Sequence, residues 1–258
     1  MELYEKINLH SHIYRCHHAE GSVEDYVQEA LKHRVEVLGI SDHTPFPEKR
    51  DEGIRMELEE FPDYVKEIED AQKKYPQIKL LKGLECDYTP EFMGFYSELK
   101  EKYQLDYLIG SVHFFYENGK MVDVFEEPLN HKRMRLYTDQ MLGNLDTDIF
   151  DFIAHPDLFV MRLETWDSYA EDCVREMCKL AEKKKRVLEI NVNGLHKLGS
   201  PYPDRRFWKI ASEYQIGTII NSDAHRVENL CAEKEYGYQI QKKYCLRQSA
   251  QDIIEKIL

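Results

Sequence analysis

Seven short apolar runs in this chain each carry a histidine, a carboxylate or both at or near their C-terminal ends, and that recurrence constrains the fold more than any single motif. They read Ile7-Asn8-Leu9-His10-Ser11-His12, Val37-Leu38-Gly39-Ile40-Ser41-Asp42-His43, Leu80-Leu81-Lys82-Gly83-Leu84-Glu85, Tyr107-Leu108-Ile109-Gly110-Ser111-Val112-His113, Phe150-Asp151-Phe152-Ile153-Ala154-His155, Val187-Leu188-Glu189-Ile190-Asn191 and Ile219-Ile220-Asn221-Ser222-Asp223-Ala224-His225. Segments of helical periodicity separate them, and this alternation predicts parallel strands joined by crossover helices. The strands of a closed α/β barrel all point one way, so residues at their C-terminal ends converge on one face however far apart they are in sequence. The terminal histidines and carboxylates then share one cup, which is the composition of a metal site.

Helices are expected over Val23–His33, Met56–Lys74, Glu91–Lys102, His131–Leu142, Ser168–Lys185, Asp204–Glu213 and Ala250–Lys256. Ser22 with Asp25 three residues on resembles a capping box at the start of the first. The count suits an α/β barrel of seven or eight strands. The 258 residues carry no repeat, low-complexity stretch or linker, and are read as a single domain spanning 1–258. The cluster Lys183-Lys184-Lys185-Arg186 at a helix end reads as favourable dipole pairing on a solvated face. Post-strand segments Thr44-Pro45-Phe46-Pro47, Phe114–Glu127 and Asn193–Pro203 are long enough to wall a pocket.

A net charge of -13 with no long Lys/Arg run to offset it makes nucleic acid a poor partner. No apolar stretch approaches the roughly 20 residues needed to cross a bilayer, and the expectation is a cytoplasmic protein without a membrane partner. The six cysteines lack close pairing motifs and read as reduced thiols.

His10 and His12, two apart at a strand end, fall on the same side and can bite one metal. His17 or His18 in the next loop can reach the same rim. Asp42 beside His43 can serve as a ligand or as an orienter behind a ligand. Glu85 ends an apolar run, where an uncompensated carboxylate loses its hydration; a nearby cation removes that difficulty, and two oxygens can bridge two ions. His113, His155, Asp223 and His225 close the series, while His33 and His131 fall in helical segments and read as surface residues.

These residues resemble the polymerase-and-histidinol-phosphatase (PHP) superfamily and, within it, the histidinol-phosphate phosphatases. The most specific element is His10-x-His12-x-x-x-Cys16-x-His18-Ala19-Glu20-Gly21-Ser22, supported by Ser41-Asp42-His43, Gly83-Leu84-Glu85-Cys86-Asp87-Tyr88, Gly110-Ser111-Val112-His113-Phe114, Ala154-His155-Pro156-Asp157-Leu158 and Asn221-Ser222-Asp223-Ala224-His225. The resemblance implies a distorted (β/α)7 TIM-like barrel holding three divalent metal ions: one on His10, His12, Glu85 and Asp223, a second on Glu85, His113 and His155, and a third on His18, His43 and His225. Imidazole and carboxylate suit zinc, iron and manganese alike.

The implied activity is metal-dependent hydrolysis of a small phosphorylated metabolite, L-histidinol phosphate, in histidine biosynthesis. A hydroxide bridging the first two metals is expected to attack phosphorus while the third grips a phosphate oxygen. Arg162, seven residues beyond His155, is the first choice for a phosphate clamp, since a guanidinium matches phosphate bidentately. Asp42 or a metal-bound water is expected to protonate the leaving alkoxide. Asn193-Gly194-Leu195-His196-Lys197 departs from the Gly-Leu-Arg of the resemblance, so His196 stands where a phosphate-binding arginine is expected, with Lys197 as a substitute. That departure keeps open a phosphatase of another small phosphomonoester or of phosphotyrosine. A nuclease is disfavoured by the charge, and a non-enzymatic metal-binding module by the occupancy of every ligand position.

Overall fold

The computed structural model describes residues 2–48 and 53–257. In chain order its strands are β1 (Ile7–Asn8), β2 (Val37–Ile40), β3 (Lys79–Asp87), β4 (Tyr107–Ser111), β5 (Phe114–Glu117), β6 (Lys120–Asp123), β7 (Phe152–Ile153), β8 (Val187–Asn191), β9 (Gly217–Asn221) and β10 (Arg247–Gln248). The helices are α1 (Leu3–Lys6), α2 (Val23–Lys32), α3 (Phe61–Lys74), α4 (Met93–Tyr103), α5 (His131–Asp146), α6 (Ser168–Lys184), α7 (Arg205–Ala211), α8 (Lys234–Lys243) and α9 (Ala250–Ile257). Eight strands form one parallel sheet in the order β1-β2-β3-β4-β7-β8-β9-β10, curled into a distorted TIM-like barrel, with β5 and β6 as a separate antiparallel hairpin. Among the described residues no helix is long and apolar enough to cross a membrane, and all six cysteines are free thiols.

The first half of β3, from Lys79, pairs with β2, while its second half, from Gly83, pairs with β4, the stagger that tilts strands in a barrel. Period two along β3 then divides the side chains. Leu80, Leu84 and Cys86 pack outward against the helices, whereas Leu81 joins the interior apolar floor and Gly83 lies under the Tyr107 ring. Glu85 and Asp87 follow on the same inward side, so one strand runs from apolar floor to charged ceiling. The floor is Ile7, Leu9, Leu81, Tyr107, Ile109 and Phe152, closed from below by Ile253 and Ile254 of α9. A Cβ at Gly39 would fall 2.0 Å from the Tyr107 hydroxyl and one at Gly83 2.2 Å from its ring, so both glycines are required by this close approach.

The barrel is distorted where β1 meets β9, because no regular ladder joins them. Side-chain amides take the place of peptide groups: Leu9 N–H donates to Asn221 Oδ1 and Ser222 N–H to Asn8 Oδ1, both at 2.8 Å. Main-chain pairing resumes above them, with His12 N–H donating to Ala224 O at 2.9 Å.

Helix starts follow their caps. Ser22 and Asp25 form the expected capping box, and Asn130, Asp167 and Asp204 accept from the first-turn amides of α5, α6 and α7. Three expectations are corrected. The helix expected from Met56 starts at Phe61, because Pro62 has no N–H to donate and fits only a first turn. The segment from Phe114 to Glu127, read as plain loop, contains the β5–β6 hairpin, turned at Asn118-Gly119 with both φ positive (53° and 75°). Helix α8 was not expected, since its exposed Lys/Glu/Gln face and central Gly237 weaken the periodicity; Gly237 is buried because the helix presses on Ile220.

Lys234 opens α8 at 3 % exposure and donates to Ile7 O at 2.5 Å, near the β1–β9 seam. Burial lowers its ammonium pKa from 10.5 to about 8. Between those values the unfolded chain binds a proton that the folded chain does not, so stability rises with pH there, by on the order of 3 kcal/mol for a shift of this size. Urea denaturation of wild type and Lys234→Met should therefore show wild type gaining that increment relative to the variant from pH 8 to 10.5; a pH-independent difference would refute it.

Candidate metal centre

The charged ceiling of the barrel gathers side chains from six strands and one loop. His10 and His12 follow β1, His43 follows β2 and pairs across to Glu85 of β3, His113 follows β4, His155 follows β7, and Asp223 and His225 follow β9. His18 arrives from the loop before α2. His155 (φ 27°) and Asp223 (φ 48°) both have left-handed backbones, rare for residues with a side chain and concentrated at sites where function sets the geometry.

Glu85 is at the middle, 1 % exposed. Its Oε1 lies 2.9 Å from His155 Nε2 and 3.5 Å from His113 Nε2. Its Oε2 lies 3.5 Å from both His10 Nε2 and His12 Nε2, and 2.9 Å from His43 Nδ1. The two oxygens thus face different sets of imidazoles. Asp223 Oδ1 completes the set around His10 and His12, at 3.5 and 3.0 Å. A third group is His18, His43 and His225, whose ligand atoms lie within 4.8 Å of one another.

Several of these contacts pair acceptors with acceptors. His10 Nε2 and His12 Nε2 are 3.1 Å apart, and His18 Nε2 and His225 Nε2 3.0 Å. Two nitrogens on one tetrahedral ion at 2.0–2.1 Å each would be separated by roughly 3.3 Å, which these pairs approach. Glu85 Oε2, Asp223 Oδ1 and His43 Nδ1 are also buried without a hydrogen-bond partner among the described residues. Buried polar atoms are rarely left so, and divalent cations satisfy all three. The donor set therefore fits metal ions.

In five of the seven imidazoles the other ring nitrogen is already engaged by a hydrogen-bond partner. His10 Nδ1 binds Glu189 at 2.8 Å, His12 Nδ1 binds Asp42 at 3.3 Å, and His113 Nδ1 binds Asp87 at 3.0 Å. His18 Nδ1 donates to Cys16 O and His225 Nδ1 to Asp223 O, at 2.8 and 3.0 Å. Each leaves Nε2 to face the centre, the arrangement that orients metal-bound histidines. Asp87 is itself held by Arg55, whose guanidinium sits 4.1 Å from the Phe46 ring centre.

Electrostatics divides the imidazoles. Burial first, and then the neighbouring His12, hold His18, His43 and His225 below the usual histidine range. Burial opposes the charged form in His10, His12 and His113 too, but there it is outweighed by Glu189, Asp223, Asp42, Asp87 and Glu85, and His113 rises to about 9. Burial would raise Glu85 and Asp223, yet the surrounding imidazoles hold both well below the carboxylate range. Cations binding here compete with protons for the same lone pairs. Cys16 also falls within 4.8 Å of His12 and His225.

A cavity of about 280 Å³ opens above the cluster, with Glu85 and Asp223 in its floor. Phe125, Tyr202 and Ile54 wall it, and Lys197, Asp123 and Glu126 bring charges to it. Three expected residues lie elsewhere. Asp42 is fully buried behind His12 and outside the cavity lining, so it orients an imidazole and is not placed to protonate a leaving group. Arg162 is carried to the surface by the short turn Leu158–Met161, and its Nε donates to Phe125 O at 2.6 Å. His196 is exposed at the end of the turn Asn193–His196 and does not line the cavity. Of the three expected substrate residues, Lys197 alone lines it. Sequence reasoning missed Asp123 and Glu126, which arrive with the hairpin that the Asn118-Gly119 pair signals, and Glu189, which sits within a run that ends in no histidine.

Residues 8–193 match the PHP domain family. A probable histidinol-phosphatase of Deinococcus radiodurans is 30% identical over 225 residues, covering 84% of this chain and 85% of that protein. A probable histidinol-phosphatase of Schizosaccharomyces pombe is 27% identical over 252 residues, covering 85% and 80%. Among solved structures, histidinol phosphate phosphatase from Lactococcus lactis, crystallised with zinc, L-histidinol and phosphate, superposes with a TM-score of 0.76 at 18% identity, covering 95% of each chain. With the family's match spanning most of the barrel and all but two of the converging ligands, the chain belongs to the PHP family.

Proposed function

We propose that this protein is a metal-dependent phosphomonoesterase that hydrolyses L-histidinol phosphate to L-histidinol and phosphate in histidine biosynthesis. The observation that carries the reading is the cavity, whose floor is the imidazole–carboxylate cluster and whose lining pairs one lysine with two carboxylates. The named activities of the relatives, including the zinc-, histidinol- and phosphate-bound protein from Lactococcus lactis, support it.

The ligand sets are those of the resemblance: His10, His12, Glu85 and Asp223; Glu85, His113 and His155; and His18, His43 and His225. Glu85 would be shared by the first two sets, since its two oxygens face different imidazoles. Divalent cations in these sets supply charge neutralisation at the phosphoryl oxygens and a water made acidic enough to attack near neutral pH. The protein's own contribution is orientation and selectivity. Glu189, Asp42 and Asp87 fix the ring orientations of His10, His12 and His113. Lys197, whose ammonium lies 6.0 Å from the Phe125 ring centre, reaches the phosphate as a point charge. Asp123 and Glu126 face the ammonium and imidazole end of the substrate, and Phe125 and Tyr202 shield the reacting bond from bulk water. Arg162 acts on this wall indirectly, by holding the Phe125 carbonyl. An anionic polynucleotide is repelled by the carboxylates and by the -13 charge.

Phosphate release from a panel of phosphomonoesters by the metal-loaded enzyme tests the assignment. Histidinol phosphate should be turned over with the highest kcat/KM; a higher value for phosphotyrosine or a neutral sugar phosphate would overturn it. Lys197→Ala should lose about 1.5–3 kcal/mol of transition-state stabilisation, the value of a charge-assisted hydrogen bond, and an unchanged kcat/KM would move the phosphate contact elsewhere. Glu85→Ala should lose the ions of both sets that share it, which elemental analysis reads as a loss of roughly two equivalents where removing a ligand of one set costs about one; full metal content in that variant would refute the bridge.

A further inference from the structure

Glu189 is fully buried at the middle of β8. Its Oε1 accepts from His10 Nδ1 at 2.8 Å and from Asn221 Nδ2 at 2.9 Å. Its Oε2 accepts from the His155 main-chain N–H at 3.0 Å and from Asn191 Nδ2 at 2.8 Å. A carboxylate has about four lone-pair sites, so these four donors saturate it and leave none for an ion. Its ion-pair partner among the described residues is His10. A buried carboxylate without a lysine or arginine is costly to keep, and what offsets that cost is the set of groups it orders.

Those groups belong to two different ions. With Nδ1 engaged by Glu189, His10 turns Nε2 to Glu85 Oε2 and Asp223 Oδ1, each 3.5 Å away. The other oxygen fixes the peptide of His155, whose left-handed backbone (φ 27°) is what brings its Nε2 to 2.9 Å from Glu85 Oε1. Asn191 carries the same network to Asp223, donating to Oδ2 at 3.1 Å. One side chain that touches no ion thus sets a ligand of the first ion, a ligand of the second, and the carboxylate Asp223. The His18, His43 and His225 group has no hydrogen bond to it among those described.

We propose that Glu189 is the positioning residue that couples the two ions of the Glu85-bridged pair, so that they are gained and lost together and independently of the third. This rests on the reading above that the pair is filled. The proposal is tested by titrating metal-free wild type, Glu189→Gln and Glu189→Asp with cobalt(II), following the visible absorption of the bound ion, with far-UV circular dichroism recorded alongside. Glutamine keeps the volume but offers one acceptor oxygen to four donors; aspartate keeps the charge but falls one methylene short.

The expected result is a 10–100-fold weakening of both ions of the pair in Glu189→Gln, a smaller one in Glu189→Asp, an unchanged third ion and an unchanged dichroism spectrum. Should the glutamine variant not fold, the aspartate variant must show the same selective weakening. Wild-type isotherms in the folded variants overturn the proposal, as does equal weakening of all three ions. A wild-type protein that takes up no pair overturns the bridged-pair reading itself, a result distinguishable from failure of the Glu189 coupling alone.

Discussion

Everything at the top of this barrel depends on keeping the Glu85 carboxylate ionised at 1 % exposure. A charge so placed loses most of its hydration, and among the described residues no lysine or arginine forms an ion pair with it. Five imidazoles do, in two sets divided between its two oxygens. That division, which no single hydrogen-bond partner would demand, makes the carboxylate a natural shared ligand. The strand that carries it shows how the site is built: Leu81 and Gly83 complete an apolar floor, and the next two inward residues are Glu85 and Asp87.

Rigidity below and around the cluster follows from the same economy of placement. The Tyr107 ring fills the barrel against two glycines and donates its hydroxyl to Leu9 O at 2.7 Å, directly under the strand end that presents His10. Asn8 and Asn221 stitch the irregular seam with side-chain amides, and Asn221 also donates to Glu189. The seam that distorts the barrel is therefore part of the layer of groups that aims the imidazoles of the cluster. Three buried carboxylates, Asp42, Asp87 and Glu189, share one task behind three different histidines, which accounts for much of the buried acid in this chain without making any of them a ligand.

The β5–β6 hairpin and its exit line one side of the cavity with Asp123, Phe125 and Glu126. Asp123 and Phe125 are locked together by the Phe125 N–H, which donates to Asp123 Oδ1 at 2.6 Å, while Arg162 holds the Phe125 carbonyl. A residue expected at the phosphate thus supports the wall instead, because the short turn after β7 takes its side chain around the rim.

The sequence by itself determined seven strand runs, most of the crossover helices and nearly all of the polar ends that the fold brings together, because strand polarity and period two depend only on the order of residues. It also carried the family resemblance on His10 through His225. The tertiary structure alone decided which of two oxygens on Glu85 faces which imidazole, that Asp42 lies behind His12, and that Arg162 and His196 stand outside the cavity while Lys197 lines it. It alone showed that Glu189, indistinguishable in sequence from any strand carboxylate, receives four donors. Loop residues and second-layer partners are placed by packing between segments far apart in the chain, such as residues 10, 155, 189 and 221, and no local rule of sequence specifies those meetings.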